Sequence, residues 1–335
     1  MKPLIIFFCL VFSSLAEEGG VVVKTGFGLI NGKIQSSEPN NRKYGSFLGI
    51  PYAKPPIGPL RFLPAEPINH FYGPHAPLQA TEYKGDCAQL EIGSGKYKGS
   101  EDCLYLNVFT PDIHFTGENN LPVLVWIHGG GFLIGGSDPG FYGPDRWLDH
   151  DIVLVTFNYR LGALGFLSTG DGVAPPNNGL SDQQLVLAWV KENIQAFGGN
   201  PSQVTIFGES AGGTSVMAHM SSPRSRGLFN QGIAMSGTFG FMNPLIHSSR
   251  PIQHYTSIMA AELSCDITGS AQSTVSCLRN KTAEDIIRKA NLFVRYNFLN
   301  NPFKPVVDAD LPDPVLPHPL HDPCISIILQ NAPKA

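Results

Sequence analysis

Residues 204–213 read Val-Thr-Ile-Phe-Gly-Glu-Ser-Ala-Gly-Gly, and this stretch decides the predicted fold. It opens with short, β-branched apolar residues that are typical of a buried strand. A Gly-x-Ser-x-Gly pattern follows at residues 208–212, and a segment compatible with a helix then continues to about Met220. In this context the pattern predicts a sharp turn from strand to helix, which exposes the Ser210 side chain on a strained backbone. A serine held in this way is a candidate nucleophile.

A glycine-rich loop lies upstream, where residues 128–132 read His-Gly-Gly-Gly-Phe directly after an apolar run. Acyl transfer to a serine builds negative charge on the carbonyl oxygen, and backbone N–H groups aimed at one point stabilise that charge. We predict that the amides of Gly130, Gly131 and Ala211 form such an oxyanion hole. The alternatives are a flexible loop or one that cradles phosphate, but the Lys-Ser/Thr pair of a nucleotide-binding P-loop does not follow.

The rest of the chain predicts an α/β fold in one domain, because apolar strands alternate with helical segments. Ser181 and Gln184 form the pattern of a capping box and predict a helix start. Near the beginning of the chain, Asn31-Gly32 between apolar residues predicts a two-residue hairpin turn. The apolar runs lack alternation, so we expect strands buried on both faces of a largely parallel sheet. These runs are residues 122–127, 152–157, 204–207 and 232–235.

The composition and the first residues indicate a secreted protein. A net charge of −4 over 335 residues gives no basic surface for nucleic acid. Residues 1–16 combine Lys2, a short apolar run and Ala16 after small residues, which is the pattern of a signal peptide. The run is shorter than the roughly 18–20 residues of a spanning helix, so we predict no stable membrane anchor. Asn280-Lys281-Thr282 is a glycosylation sequon, which suits this location.

The cysteine count is odd once the signal peptide is removed. Of the six cysteines, Cys9 lies in the predicted signal peptide, and five are left for an oxidising compartment. An odd number in a secreted chain means that one cysteine pairs elsewhere or is a free thiol.

Further segments resemble the type-B carboxylesterase and cholinesterase family, in particular insect carboxylesterases. Besides the serine and glycine motifs, they are Gly-Ile-Pro-Tyr-Ala at 49–53, Glu-Asp-Cys-Leu-Tyr-Leu-Asn-Val at 101–108, Asn-Tyr-Arg-Leu-Gly at 158–162, Phe-Gly-Gly-Asn-Pro at 197–201 and Ser-Gly at 236–237. The resemblance covers essentially everything after residue 16. It implies an α/β-hydrolase fold with a mostly parallel central sheet flanked by helices. It also implies hydrolysis of small carboxylic esters through an acyl-enzyme on Ser210, without cofactor or metal. The disulfides it implies are Cys87–Cys103 and Cys265–Cys277, which leave Cys324 over.

Departures from the family concern the substrate. Cholinesterases carry a tryptophan in the first cysteine loop, whereas residues 87–103 contain none, which argues against a choline ester. Juvenile-hormone esterases resemble Gly-Gln-Ser-Ala-Gly at the serine, whereas this chain has Glu209, which favours a general carboxylesterase. Leu245 stands where many relatives have a tryptophan, which implies a wider acyl pocket.

The general base and its orienting acid are missing from the sequence motifs. In α/β-hydrolases they follow the serine as Asp or Glu and then His. His219 lies nine residues along the outgoing helix, about 13 Å from Ser210 at 1.5 Å per residue, which is too far. The later candidates lie in or just before a proline-rich segment, residues 312–323, with no strand to present them: His318, His321, Asp308, Asp310 and Asp313. We therefore predict that residues 17–335 are the N-terminal part of a single domain, incomplete on its C-terminal side and inactive alone.

Two other classes of function stay open. Some members of the family are non-catalytic adhesion or ligand-binding proteins at the cell surface. Those members typically lose the nucleophile or the oxyanion glycines, whereas Ser210, Gly130 and Gly131 are all present here. The second alternative is a truncated secreted protein that binds esters without turning them over. No protein partner is evident from the sequence.

Overall fold

The computed structural model describes residues 20–38, 40–68, 70, 76–115, 119–237, 250–294 and 301–318. The predicted signal peptide, Leu245, His321 and Cys324 lie outside the described residues. The strands are β1 (Gly20–Thr25), β2 (Gly28–Ser36), β3 (Lys43–Pro51), β4 (Leu78–Gln79), β5 (Gln89–Leu90), β6 (Tyr97–Lys98), β7 (Tyr105–Thr110), β8 (Leu121–Ile127), β9 (Val153–Phe157), β10 (Gly199–Glu209) and β11 (Gln231–Met235). The α-helices are α1 (Gly162–Phe166), α2 (Asn178–Asn193), α3 (Ala211–Ser221), α4 (Arg250–Glu262), α5 (Ala271–Arg279) and α6 (Ala283–Asn291).

The central sheet is mixed, with its parallel half around the predicted nucleophile. In the described residues its order is β1-β2-β3-β7-β9-β8-β10-β11, with β4 paired to β2. The neighbours from β1 to β9 in this order are antiparallel. The strands β9, β8, β10 and β11 are parallel to one another, as the apolar runs predict. The carboxyl ends of these parallel strands carry the two motifs singled out in the sequence.

Burial on both faces is found for β9 but not for β11. Every residue of β9 is buried. Helix α3 covers one face of β11, where a Cβ atom on Gly232 would lie 3.0 Å from the side chains of Val216 and Met220. On the other face, Ile233 is 51% exposed and Met235 is 38% exposed within the described part of the chain. The expectation of two buried faces is therefore wrong for β11. It also fails for β8, where Pro122 is exposed and Leu124 and Trp126 are only half-buried.

The first hairpin turns at Gly26-Phe27 and not at Asn31-Gly32, so that prediction is wrong. Asn31-Gly32 lies inside β2, which pairs with β1 from Gly28 onward. Glycine is required at position 32 for a different reason. A Cβ atom on Gly32 would lie 2.5 Å from the ring of Phe47 in β3. Close packing between neighbouring strands, and not a turn, requires glycine at this position.

Helix α2 begins earlier than the predicted capping box. Its N-cap is Asn177, with φ of +62°, and the Ser181 amide already donates to the Asn177 carbonyl at 3.0 Å. Asparagine tolerates this left-handed backbone better than most residues. Its side chain bonds to a distant segment, since Nδ2 donates to the Val306 carbonyl at 2.7 Å and Oδ1 accepts from the Val306 amide at 2.9 Å.

Both disulfides implied by the resemblance are formed. Cys87–Cys103 joins Cα atoms 4.9 Å apart and closes the loop that contains β5 and β6. Cys265–Cys277 joins Cα atoms 5.7 Å apart and ties the segment after α4 to α5. None of the helices in the described ranges combines the length and apolar character that crossing a membrane requires.

Candidate active site

Ser210 sits at the junction of β10 and α3 in a strained backbone conformation. Its φ is +55° and its ψ is −120°, a region that residues other than glycine rarely occupy. The Ser210 amide donates to the Met235 carbonyl at 2.9 Å, and its carbonyl accepts from the Thr214 amide at 2.9 Å. Main-chain bonds from β11 and from the first turn of α3 therefore hold the strained residue on both sides.

The glycines around Ser210 are required by close backbone contacts. A Cβ atom on Gly208 would lie 2.6 Å from the Gly212 carbonyl carbon and 2.7 Å from the Ile127 oxygen. A Cβ atom on Gly212 would lie 2.0 Å from the same Ile127 oxygen, and one on Gly237 would lie 2.1 Å from the Ser210 oxygen. These are the close approaches for which the sequence motif predicts glycine.

The glycine-rich loop lies directly beside Ser210, since a Cβ atom on Gly129 would be 3.3 Å from the Ser210 Cβ atom. The Gly130 carbonyl accepts from the amides of Leu133 and Ile134 at 3.0 and 3.1 Å. In a trans peptide the N–H points opposite to the C=O, so the Gly131 amide points away from this turn. Ala211 is the first residue of α3, where amides have no partner within the helix.

The His128 side chain is built into this loop. Its ring is 1% exposed and stacks on Tyr159 with centroids 4.3 Å apart. Nδ1 lies 2.8 Å from the Gly129 carbonyl, and because that oxygen only accepts, Nδ1 carries the proton. Burial lowers the pKa of His128 to about 4, so the ring is neutral at pH 7. Its hydrogen bond fixes the Gly129–Gly130 peptide, and the Gly130 amide points away from His128.

His219 is packed and fully engaged, as its distance along the helix suggests. It is 2% exposed, and its Nε2 and Nδ1 lie 2.7 Å from Gln183 Oε1 and 2.9 Å from Ser225 Oγ. Burial lowers its pKa to about 3. With both nitrogens occupied, this ring has none left to accept the Ser210 proton.

The later acidic and histidine candidates have other partners. The buried Asp308 carboxylate accepts from the amides of Val315 and Leu316 at 3.1 and 2.7 Å and from Asn177 Nδ2 at 3.0 Å. Burial raises the pKa of Asp308. Asp313 lies 3.6 Å from the guanidinium of Arg224 at the surface.

Asp310 and His318 are exposed. No hydrogen bond or ion pair of the described residues joins these later candidates to Ser210.

Two side chains that support the glycine loop gave no signal in the sequence. Gln89 pairs with the main chain of Gly135, 46 residues away. The Asn301 Nδ2 atom donates to the Gly131 carbonyl at 3.3 Å, 170 residues away. Contacts this distant follow no local pattern, so a single sequence could not indicate them.

The described residues thus place a serine with a strained backbone directly beside the glycine-rich loop. Within the described ranges, no group of three His, Cys, Asp or Glu side chains is placed to hold a metal ion. The chemistry that this arrangement favours is attack of Ser210 on a carbonyl carbon, because donors beside the serine stabilise the developing oxygen charge.

Comparison with known proteins agrees with this geometry. Residues 20–332 match the family model described as Carboxylesterase family. This chain belongs to the carboxylesterase family. Among solved structures, juvenile hormone esterase from Manduca sexta superposes with a TM-score of 0.81 at 32% identity, over 93% of this chain and 57% of that one. The α/β-hydrolase fold that the resemblance implies is thereby shown.

Relatives of this chain include two insect esterases that share the same fraction of identical residues with it. Juvenile hormone esterase from Tribolium castaneum is 43% identical over 81% of this chain and 46% of its own length. Esterase FE4 from Myzus persicae is also 43% identical, over 83% of this chain and 50% of its own length. The chain therefore spans about half the length of these relatives.

Proposed function

We propose that the complete protein, the product of the full transcript that encodes this chain, is a serine carboxylesterase. The observation that carries this proposal is the strained Ser210 beside the glycine loop. The Ser210 oxygen attacks the ester carbonyl, and the amides of Gly130, Gly131 and Ala211 stabilise the oxyanion. The alcohol leaves, and water then hydrolyses the acyl-enzyme. Covalent chemistry has a parallel in the Manduca sexta esterase, whose structure has OTFP covalently attached.

We propose further that the catalytic acid and base are not among the residues that the structure describes. Support comes from His219, the buried histidine of α3, whose two ring nitrogens are both hydrogen-bonded to other side chains. The relatives, about twice as long, have room for further residues. The described residues alone then supply no proton acceptor for Ser210. Among them, β11 is the last strand of the sheet and carries the exposed Ile233, and an open apolar edge of this kind favours aggregation.

The proposed substrates are small aromatic or short aliphatic esters. A quaternary ammonium group binds best over the face of a tryptophan, and the loop between Cys87 and Cys103 contains none. Glu209 before the nucleophile favours a general carboxylesterase. The relatives' names do not choose between these, because a juvenile hormone esterase and an esterase named FE4 are equally similar.

Secretion and glycosylation belong to the same proposal. Two disulfides suit an oxidising compartment. Asn280 is exposed at the end of α5, with its Nδ2 atom 3.1 Å from the Ser276 carbonyl. Expression in insect cells with the native first 16 residues tests both points. We expect glycosylated protein in the medium, and loss of the glycan in Asn280→Gln. Retention of the protein inside the cells contradicts secretion.

Turnover by the complete protein tests the catalytic proposal. We expect hydrolysis of naphthyl acetate, reduced about 10⁴-fold or more by Ser210→Ala because a triad nucleophile has no substitute. Ser202→Ala, at an exposed serine, is the matched control and should leave turnover unchanged. A folded complete protein without esterase activity would favour the adhesion alternative. Acetylcholine hydrolysis equal to that of naphthyl acetate would show that the substrate proposal is wrong.

A further inference from the structure

Gln89 forms a reciprocal pair with the backbone of Gly135. The Gly135 amide donates to Gln89 Oε1 at 2.9 Å, and Gln89 Nε2 donates to the Gly135 carbonyl at 2.7 Å. The same Nε2 atom donates to the Cys87 carbonyl at 2.9 Å. Gln89 is 2% exposed, so this buried amide uses its acceptor and both donors within the protein.

Gly135 in turn lies against the hydrogen bond between His128 Nδ1 and the Gly129 carbonyl, which orients the glycine loop. A Cβ atom on Gly135 would be 2.5 Å from His128 Nδ1 and 2.7 Å from the Gly129 oxygen, the two atoms of that bond. Gly135 has a φ of +113°, which strongly favours glycine. The main chain at Gly135 is thus one wall of the pocket that holds the His128 ring.

Gln89 is itself anchored on the disulfide loop. It is the first residue of β5, which pairs with β6, and the neighbouring Ala88 amide donates to the Ser100 carbonyl at 2.9 Å. The Cys87–Cys103 bridge closes this loop around it. A rigid element with a covalent closure is suited to hold a catalytic loop in one geometry.

From this chain of contacts we infer that Gln89 is a positioning residue for the oxyanion hole. By fixing Gly135, it fixes the His128 ring and therefore the Gly129–Gly130 peptide, whose N–H is the proposed donor to the ester oxygen. Gln89 does not touch the reacting atoms. The inference rests on the proposed esterase function, and it assigns to the disulfide loop a role in transition-state stabilisation.

Steady-state kinetics of Gln89→Met in the complete enzyme provide the first test. Methionine matches the size of glutamine without its hydrogen bonds, so we expect kcat to fall about 10- to 100-fold, as for a misplaced or lost oxyanion donor. KM should change less than about threefold, because ground-state binding does not use the oxyanion charge. Gln89→Glu keeps the acceptor for the Gly135 amide but sets a buried carboxylate against the Gly135 and Cys87 carbonyls, so kcat should fall at least as far as in Gln89→Met.

Gln184→Met is the matched control. Gln184 is also buried, and its Nε2 atom donates to Ser222 Oγ and Ser225 Oγ at 3.1 and 3.0 Å, away from the glycine loop. This variant should lose stability without a comparable fall in kcat. A kcat of Gln89→Met equal to that of wild type, or an equal loss in Gln184→Met, overturns the inference.

Hydrogen exchange separates this inference from the proposed function. In Gln89→Met we expect faster amide exchange in the peptide that covers residues 129–135, with no such change in Gln184→Met. Unchanged exchange in folded Gln89→Met overturns the positioning role, whether or not the wild type is an esterase. Faster exchange in Gln89→Met, found while the wild type shows no ester turnover, supports the structural link and overturns the proposed function alone. Gln89→Glu serves the same measurement if Gln89→Met does not fold.

Discussion

Two regions are adjacent in space but are held in different ways. They are the elbow, which is the strand-to-helix turn at residues 208–212 around Ser210, and the glycine loop at residues 128–132. The elbow is shaped by main-chain bonds from β11 and α3 and by glycines at its own positions. The loop also needs glycine, since a Cβ atom on Gly130 would lie 2.2 Å from the Ile134 oxygen, but in addition three side chains support it, namely His128, Gln89 and Asn301. Both regions should therefore fail when such a glycine gains a Cβ atom, whereas the loop should also weaken gradually as single side-chain bonds are lost.

The largest effect is expected at the elbow, for Gly212→Ala. The added Cβ atom would lie 2.0 Å from the Ile127 oxygen, a backbone atom that cannot rotate away. We expect the free energy of unfolding of the complete protein to fall by about 3 kcal/mol or more, as for a severe overpacking. Gly26→Ala is the control, because its nearest neighbour would be 3.8 Å away, and it should change stability by less than about 0.5 kcal/mol. Equal stability of the two variants in urea denaturation would contradict the close contact.

The loop should respond more mildly, as tested by His128→Leu. Removing the Nδ1 donor leaves the Gly129 carbonyl unsatisfied, which costs about 1–3 kcal/mol of stability. We also expect kcat to fall about 10- to 100-fold, since the Gly130 amide is no longer fixed. His254→Leu, at an exposed histidine, should leave both values unchanged. A His128→Leu enzyme with wild-type kcat would show that the loop does not depend on this side chain.

Side chains also support the elbow, and pH can test the weight of one of these supports. Ser215 Oγ donates to the Ala211 carbonyl at 3.0 Å, Gln183 Nε2 donates to Ser215 Oγ at 3.1 Å, and Gln183 Oε1 bonds to His219. The pKa of His219 is lowered to about 3 by burial, so below its unfolded value of about 6.5 the unfolded state binds a proton that the native state does not. Stability is therefore full above about pH 6.5 and falls as the pH drops toward the folded pKa, by about 1.4 kcal/mol per pH unit.

Denaturation of wild type and His219→Gln between pH 7 and pH 4 measures this contribution. The variant should lose less stability on acidification than wild type, and His254→Gln should follow wild type. Because His128 is also buried with a lowered pKa, part of the acid sensitivity should persist in His219→Gln. Parallel pH curves for wild type and His219→Gln would contradict the buried, neutral state of His219.

The smallest effect is expected for Asn301→Ala. Its bond to the Gly131 carbonyl is 3.3 Å long, and its shorter bonds, 2.8 and 2.9 Å, stay within its own segment with Phe303. We expect a loss of about 1 kcal/mol and a fall in kcat smaller than that of His128→Leu. Urea denaturation and turnover of naphthyl acetate measure the two. A larger kcat loss than in His128→Leu would reverse the order of the two supports.

The same contrast explains which features the sequence could predict. The Gly-x-Ser-x-Gly turn, α3 and the parallel strands depend on local composition, and the structure places them as predicted. The Asn31-Gly32 turn failed because the glycine serves packing against Phe47, which is distant in sequence. The capping box at Ser181 failed because Asn177 starts the helix while its side chain bonds to Val306. The roles of Gln89 and Asn301 could not be predicted, since each depends on a partner that only the fold brings near.

Adduct mapping on the complete protein tests the central claim most directly, namely that the strained elbow makes Ser210 the nucleophile. The protein is inhibited with an organophosphate, digested and analysed by mass spectrometry, with Ser210→Ala as the control. We expect one phosphorylated peptide, modified at Ser210, in proportion to the activity lost, and no such adduct in the variant. A fully inhibited protein with unmodified Ser210, or an adduct at any other residue, would contradict it.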